Sequence, residues 1–274
     1  MCAIFGMGFL RHDVNMEVMS TVLKKLTALS QVRGSDATGL CFTTRRDISV
    51  VKHNVEASKF ISLKEYGCEV DRFMSSKDHK RLYSVLGHCR QQTKGAHTIN
   101  LNNHPIHVGD IVGAHNGVIC NDDELFKEYA FNRLGQVDSE VIFSLIDYYS
   151  NLYKRKVDEL SPTTSAIIKT SGLINGSFAC SIVDAKSPNN IWIFKNSNPV
   201  VIHNFKKEGV VIYASTLPIL RSAIEHTDFE TPEEIILKND QGVCIDLLNC
   251  KYNTFDLHEC TKATAMDRYG TFGW

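Results

Sequence analysis

Residues 176–214 read GSFACSIVDAKSPNNIWIFKNSNPVVIHNFKKEGVVIYA. Four apolar runs stand in this stretch, residues 177–184, 191–195, 200–203 and 210–214, separated by short breaks rich in Asn, Ser, Pro, Lys and Gly. Connections this short do not accommodate the crossover that parallel neighbours need, so the runs are expected to be strands paired antiparallel. Upstream, residues 2–9 form another apolar strand, and Met16, Met19, Leu23, Leu26 and Leu29 mark one face of a helix over residues 15–32. Residues 40–44 and 48–53 pair around the polar break Arg45, Arg46 and Asp47, and a charged helical stretch follows to residue 79. Residues 81–90 and 111–119 are again strand-like, the second interrupted by the turn signal His115-Asn116-Gly117. Asn121, Asp122 and Asp123 are candidate caps of one helix, and Asp138 of the helix carrying Val141, Ile142, Leu145 and Ile146. Residues 219–224 read as helix and 234–248 as strand with a turn near Gly242. Helices grouped between groups of strands predict an α+β fold built on antiparallel sheets, without βαβ alternation. No linker or internal repeat divides the chain, so one continuous domain is expected.

The 274 residues support a large core, since surface scaling leaves about 73% of the extended chain's surface buried on folding. Thirty basic and 31 acidic side chains give a net charge of -1, without the one-sided basic field that binding a nucleic-acid backbone requires. The apolar runs are far shorter than the roughly 20 residues of a membrane helix, and the N-terminus lacks the pattern of a secretion signal. Nine cysteines, an odd number without any C-x-x-C pair, favour reduced thiols in a soluble, cytoplasmic protein. His104 and His107 lack partners at zinc-site spacing, so no metal is expected, and the phosphate-loop patterns are absent.

Several residues offer chemistry, each with a structural alternative. Cys2 follows Met1, and removal of Met1 would leave a thiol and a free α-amine on one residue, a nucleophile beside its base; otherwise Cys2 is a small buried residue. RGSDATG at residues 33–39 falls where a helix gives way to a strand, so its glycines could serve a C-cap and a turn. GHCRQQTKG at residues 87–95 closes a strand with Arg90 and Thr93, which suit a carboxylate, or else Arg90 is an exposed strand end. Asn116 and Gly117 could supply a side-chain amide and a backbone N–H to an oxyanion, or form a type I′ hairpin. Asp138 is an N-cap or the counter-ion of an ammonium group.

In combination these segments are more specific. Cys2, RGSDATG, GHCRQQTKG, NNHP at residues 102–105, AHNGVICN at 114–121 and DSEV at 138–141 occur in the order and approximate spacing of the class II glutamine amidotransferases. The chain resembles the glutaminase domain of that family, a member of the N-terminal nucleophile hydrolases, and residues 176–184 and YAST at 213–216 extend the likeness to residues 1–250. The resemblance implies an α+β, four-layer αββα sandwich with two antiparallel sheets between helix layers. It implies Cys2 as nucleophile, with its α-amine as base, attacking the side-chain amide of L-glutamine to form a γ-glutamyl thioester and release ammonia. Asn116 and Gly117 match the oxyanion hole, and Arg33 and Gly34 the support of the nucleophile. Arg90 and Thr93 match the α-carboxylate clamp, Asp138 the partner of the α-ammonium, and His104 a position that shapes the substrate loop. Gln91 stands where the family often has an aromatic residue and Lys94 where it has a histidine.

No cofactor is implied. Neither a Ser-Gly-Gly pyrophosphate loop nor a phosphoribosyl-diphosphate loop is found, so the expected partner is a separate ammonia-accepting synthetase or modifying enzyme. No direct contact with nucleic acid or membrane is expected, and a homo-oligomer is compatible with the sequence. Two other readings stay open: a non-catalytic glutamine-binding module, and a cysteine N-terminal hydrolase of another amide. Residues 251–274 are expected to be a C-terminal tail whose Tyr269, Phe272 and Trp274 could dock a partner.

Overall fold

The computed structural model describes residues 1–74, 82–153 and 160–258. In chain order its strands are β1 (Ala3–Phe9), β2 (Ala37–Thr44), β3 (Ile48–His53), β4 (Leu82–Arg90), β5 (Ile106–Val108), β6 (Ile111–Ile119) and β7 (Gly176–Asp184). They continue with β8 (Asn190–Lys195), β9 (Val201–Phe205), β10 (Val210–Ala214), β11 (Glu233–Ile235), β12 (Gln241–Asp246) and β13 (Lys251–Asp256). The helices are α1 (Met16–Ser30), α2 (Ala57–Phe60), α3 (Lys64–Met74), α4 (Asp122–Glu128), α5 (Glu140–Leu152), α6 (Pro162–Ser171) and α7 (Leu217–Ile224).

Two sheets result, in the orders β11-β9-β10-β1-β4-β2-β3 and β13-β12-β8-β7-β6-β5. Their paired neighbours run antiparallel. The strand β1 is central in the first sheet, and its alternation shows how one strand serves two layers. Ala3, Phe5, Met7 and Phe9 join the core under α1 and α7, where Leu23, Leu26 and Leu220 lie. Ile4 turns the other way, onto Ala114 and Ala179 of the second sheet, while a Cβ at Gly8 would strike Leu247 and Ile191. The inter-sheet core continues through Leu86, Val112, Val183, Ile193, Tyr213 and Val243. On the far side of the second sheet, Ile142, Ile146 and Ile167 of α5 and α6 pack on Ile182, Trp192 and Phe194. The order is helices, sheet, sheet, helices, an α+β αββα sandwich as expected.

Several local expectations are corrected. His115-Asn116-Gly117 does not interrupt its strand: β6 runs through it, Asn116 opposite Ala179 and Gly117 opposite Phe178, because nine residues of β7 supply a continuous partner. Asp138 is not a helix cap, since Ser139 precedes α5 and the Asp138 carboxylate accepts the N–H of Ile119 at 2.7 Å. Gly242 lies inside β12, and the chain turns at residues 239–240. The tail expected from residue 251 begins with β13, whose Phe255, with Leu257 just beyond it, is buried against the second sheet. Residues 260–274, with the three aromatics of that expectation, lie outside the described residues. The helical stretch expected to residue 79 is described as α2 and α3, its last five residues lying outside.

Candidate active site

Cys2 stands at the head of β1, and the register that pairs Ala3 with Cys89 and Ile4 with His88 carries it to the end of β4. Its Sγ lies 3.3 Å from the Gln91 nitrogen, which donates to it, and 3.4 Å from the Gln91 carbonyl. Burial pushes the Cys2 thiol up from its ordinary range, against the lowering effects of the Gln91 N–H, the chain's N-terminal charge and Arg90. A neutral thiol at pH 7 follows, so nucleophilic work here needs a base. Arg33 donates from Nε to the Cys2 carbonyl at 2.9 Å and fixes the backbone behind the thiol.

The two glycines of RGSDATG are there for close approach. Gly34 is extended, with φ -170°, so it is not the left-handed C-cap that its position after a helix suggests. A Cβ on it would lie 2.5 Å from the Arg90 carbonyl carbon and 2.7 Å from the Gln91 nitrogen. A Cβ on Gly39 would lie 2.3 Å from the His104 carbonyl. Asp36, between them, accepts the Gln92 N–H at 2.7 Å and the Gln91 side-chain amide at 3.1 Å, and so holds the start of the 91–95 loop.

Arg90 is 3% exposed, which removes the reading of an exposed strand end. Its guanidinium donates to Asn103 Oδ1 at 2.8 Å and to the carbonyls of Lys94 and Gly95 at 2.8 and 2.7 Å. Three of the five N–H groups of an arginine are thereby engaged, leaving Nε–H and one on Nη1 for a ligand. Thr93 is exposed in the same loop. His104 is buried against His88, ring centroids 4.2 Å apart, and the His104–Pro105 bond is cis. That placement suits a shaper of the loop and not a side chain that touches substrate. Lys52 supports the same segment by donating to the carbonyls of Asn103 and Pro105 at 2.6 and 2.9 Å.

The second sheet contributes Asn116, Gly117 and Asp138. Ala114 and Ala179 pack on Ile4, so Asn116, two residues beyond Ala114 and opposite Ala179, faces the space between the sheets on the side of Cys2. Asn116 is 4% exposed and its Nδ2 has no hydrogen-bond partner among the described residues. Its carbonyl accepts from Asn198 Nδ2 at 2.6 Å, which fixes the backbone on either side. Gly117 has φ +152°, and a Cβ there would lie 1.9 Å from the Ser177 carbonyl, so glycine is required. Asp138 is buried and close enough to raise the Cys2 thiol further. The sequence reading missed Asn103, Asn198 and Ser215, the last bridging the Ile4 N–H and carbonyl behind Cys2 at 2.9 and 3.2 Å. Asn103 and Ser215 lie inside stretches already singled out; nothing in sequence marked Asn198.

The described residues contain no group of three or more His, Cys, Asp or Glu placed to hold a metal ion, and no helix long and apolar enough to cross a membrane. Cys2 thus heads a central strand of an αββα sandwich. No protein-family model matches the chain. Among curated proteins it is similar to the glutamine–fructose-6-phosphate aminotransferase (isomerizing) of Staphylococcus aureus, 29% identical over 251 residues, covering 90% of this chain and 37% of that protein. The same enzyme of Staphylococcus epidermidis is 29% identical over 252 residues, with equal coverage. The chain thus spans little more than a third of the length of these relatives. In fold it is similar to the glutamine phosphoribosylpyrophosphate amidotransferase from B. subtilis, TM-score 0.65, 17% identity, covering 93% of this chain and 49% of that one. A second solved structure, described as the allosteric regulatory enzyme of purine biosynthesis, gives TM-score 0.60 and 16% identity over 93% of this chain and 49% of that one. The homologues of this chain are class II glutamine amidotransferases, and it shares their N-terminal nucleophile fold.

Proposed function

We propose that the chain, once Met1 is removed, is a class II glutaminase unit that hydrolyses the side-chain amide of L-glutamine and delivers ammonia to an ammonia-accepting synthetase or modifying activity. The observation that carries this reading is the buried, unpartnered Nδ2 of Asn116 on the Cys2 side of the inter-sheet space. A buried donor without an acceptor costs about 1–3 kcal/mol, and an oxyanion would supply the missing partner.

The reaction then runs as follows. Loss of Met1 frees the Cys2 α-amine, which takes the thiol proton, as a thiol raised by burial requires. The thiolate attacks the side-chain carbonyl carbon of glutamine, and the oxygen, now negative, is held by Asn116 Nδ2–H and the Gly117 N–H. Collapse of this adduct breaks the C–N bond, and the proton on the α-ammonium leaves with the amine as ammonia. Water attacks the γ-glutamyl thioester through the same hole, releasing glutamate and restoring the thiol. Arg90 and Asp138 give the substrate zwitterion one cation and one anion, and Arg33 keeps the nucleophile's carbonyl in place.

Intact-mass spectrometry before and after exposure to a diazo-ketone analogue of glutamine tests the reading. Loss of one methionine and gain of one adduct, absent in Cys2→Ala, is expected, together with ammonia release from glutamine. A processed chain that binds glutamine yet takes no adduct and releases no ammonia would make it a glutamine-binding module.

A further inference from the structure

Beside the proposed glutamine site lies a cluster of four charges that the reaction does not use. Lys94 Nζ bonds Asp122 Oδ2 at 2.7 Å and Asp123 Oδ2 at 3.0 Å, while Arg133 pairs with the same two carboxylates. Asp122 is 2% exposed while Asp123 and Lys94 reach solvent, so the network is anchored on one buried carboxylate and open to screening on its outer side. Its two cations sit on segments that lead to opposite ends of the site. The carbonyls of Lys94 and of Gly95, next in sequence, are acceptors of the Arg90 guanidinium. Arg133 Nη2 donates to the carbonyl of Val137, the residue before Asp138, at 3.1 Å. Further bonds tie the Arg133 side to the loop around Asn103: Gln136 N–H donates to Asn102 Oδ1 at 2.7 Å, and Asn102 Nδ2 donates to the Ala96 carbonyl at 2.8 Å.

We propose that Lys94 and Arg133, sharing Asp122 and Asp123, form an electrostatic brace that sets the span between Arg90 and Asp138, with Lys94 as the positioning residue that holds the 91–95 loop closed on Arg90. The proposal rests on the reading that Arg90 and Asp138 receive the carboxylate and ammonium of glutamine. A loop carrying two acceptors of the Arg90 guanidinium controls where its remaining N–H groups aim. A neutral side chain at residue 94 frees the loop, while Arg133 still compensates both carboxylates, so the variant is expected to fold.

The test compares Lys94→Met and Lys94→Arg with the unaltered, Met1-processed protein in two readouts. In hydrogen exchange, amides 91–97 are expected to lose protection in Lys94→Met by about 3- to 10-fold, the size of a partly screened ion-pair network, and to regain it in Lys94→Arg. In glutaminase kinetics, KM for glutamine is expected to rise by a similar factor of about 3 to 10 in Lys94→Met with kcat changed less than about twofold, because ground-state positioning is what is lost. Salt near 1 M, where the screening length is about 3 Å, is expected to raise KM of the unaltered protein toward that of Lys94→Met and to leave the variant unmoved. Unchanged protection of the loop in Lys94→Met, or an unchanged KM, would overturn the brace. If the unaltered protein shows no glutaminase activity, the glutamine reading fails, and the exchange experiment still decides whether Lys94 holds the loop.

Discussion

Asn116 and Gly117 are neighbours in sequence, yet different physical demands fix them. The amide of Asn116 has a buried donor and no acceptor, whereas Gly117 has no room for a Cβ beside the Ser177 carbonyl. Replacing Asn116 by alanine relieves the unpartnered donor and loses the packing of a buried side chain, two opposed effects of about 1–3 kcal/mol each, so no large fall in stability is expected. Glutamine turnover, by contrast, is expected to fall about 10²- to 10³-fold, as for other oxyanion donors. Thermal unfolding and ammonia release on the same preparation separate the two effects, and a large fall in stability with turnover intact would refute this division of labour. Gly117→Ala is expected to lose both: the strand pair β6–β7 must shift, at an expected cost of about 2–4 kcal/mol measurable by urea unfolding, and the shift moves the Gly117 N–H, so turnover falls with stability. The candidate residues of the site were legible in sequence through the resemblance of their segments to class II glutamine amidotransferases. What those side chains do when no ligand is bound was not. Nothing in the string of letters says that Arg90 engages two loop carbonyls, that His104 is buried on His88, or that Lys94 is shared by two aspartates. These follow from contacts between residues 4 to 29 positions apart in the chain.

At the scale of elements, strands were easier to read than their ends. The continuous apolar run of β1 marks a strand buried on both faces, and the antiparallel expectation holds for β7 with β8 and for β9 with β10, while the short connection between β8 and β9 passes from one sheet to the other. The turn assigned to Asn-Gly fails since tertiary pairing with β7 overrides a local preference. The helix α6, Pro162–Ser171, escaped notice: capped by Ser161 and begun by Pro162, it carries Ile167 and Ile168 among threonines and serines, with little apolar stripe. The strand β13 escaped because four of its six residues are exposed in succession and only Phe255 turns inward. This single anchor makes a sharp prediction. Phe255→Ala is expected to cost about 3–5 kcal/mol, the usual range for a buried Phe truncation, whereas Tyr252→Ala, on the exposed stretch of the same strand, is expected to cost less than about 1 kcal/mol. Denaturant midpoints for the two variants check it, and equal losses would mean that β13 is held by its ladder alone.

Around its second sheet the molecule keeps three histidines away from water, two toward the first sheet and one on the helix side. His88 reaches across from the first sheet to the His115 carbonyl of the second at 3.0 Å, His104 stacks on His88, and the His115 ring meets Ser139 at 2.8 Å on the helix side. Burial lowers all three: His88 to about 3, His104 well below its ordinary 6.5, and His115 also downward although Asp138 pulls it up. The cations Lys52 and Arg90 reinforce the effect at His88 and His104. In the unfolded chain these imidazoles protonate near pH 6.5, while in the folded chain they resist it until far lower pH. Stability is therefore fully present above about pH 6.5 and is lost as pH falls from there toward 3, since the unfolded state binds the extra protons. The slope is at most about 1.4 kcal/mol per pH unit for each histidine. His88 and His104 together would remove about 2–3 kcal/mol between pH 6 and 5, a large part of the roughly 5–15 kcal/mol that holds a domain of this kind, and His115 adds to the loss in the same direction. Urea unfolding at pH 7, 6 and 5 is expected to show midpoints that fall steeply across the last interval, with the slope clearly reduced in His88→Gln. A flat profile from pH 7 to 5 would mean that these rings find protons in the folded state, through water entering between the sheets, and that the sandwich is less tightly closed around Arg90 than the packing of His88 on His104 indicates.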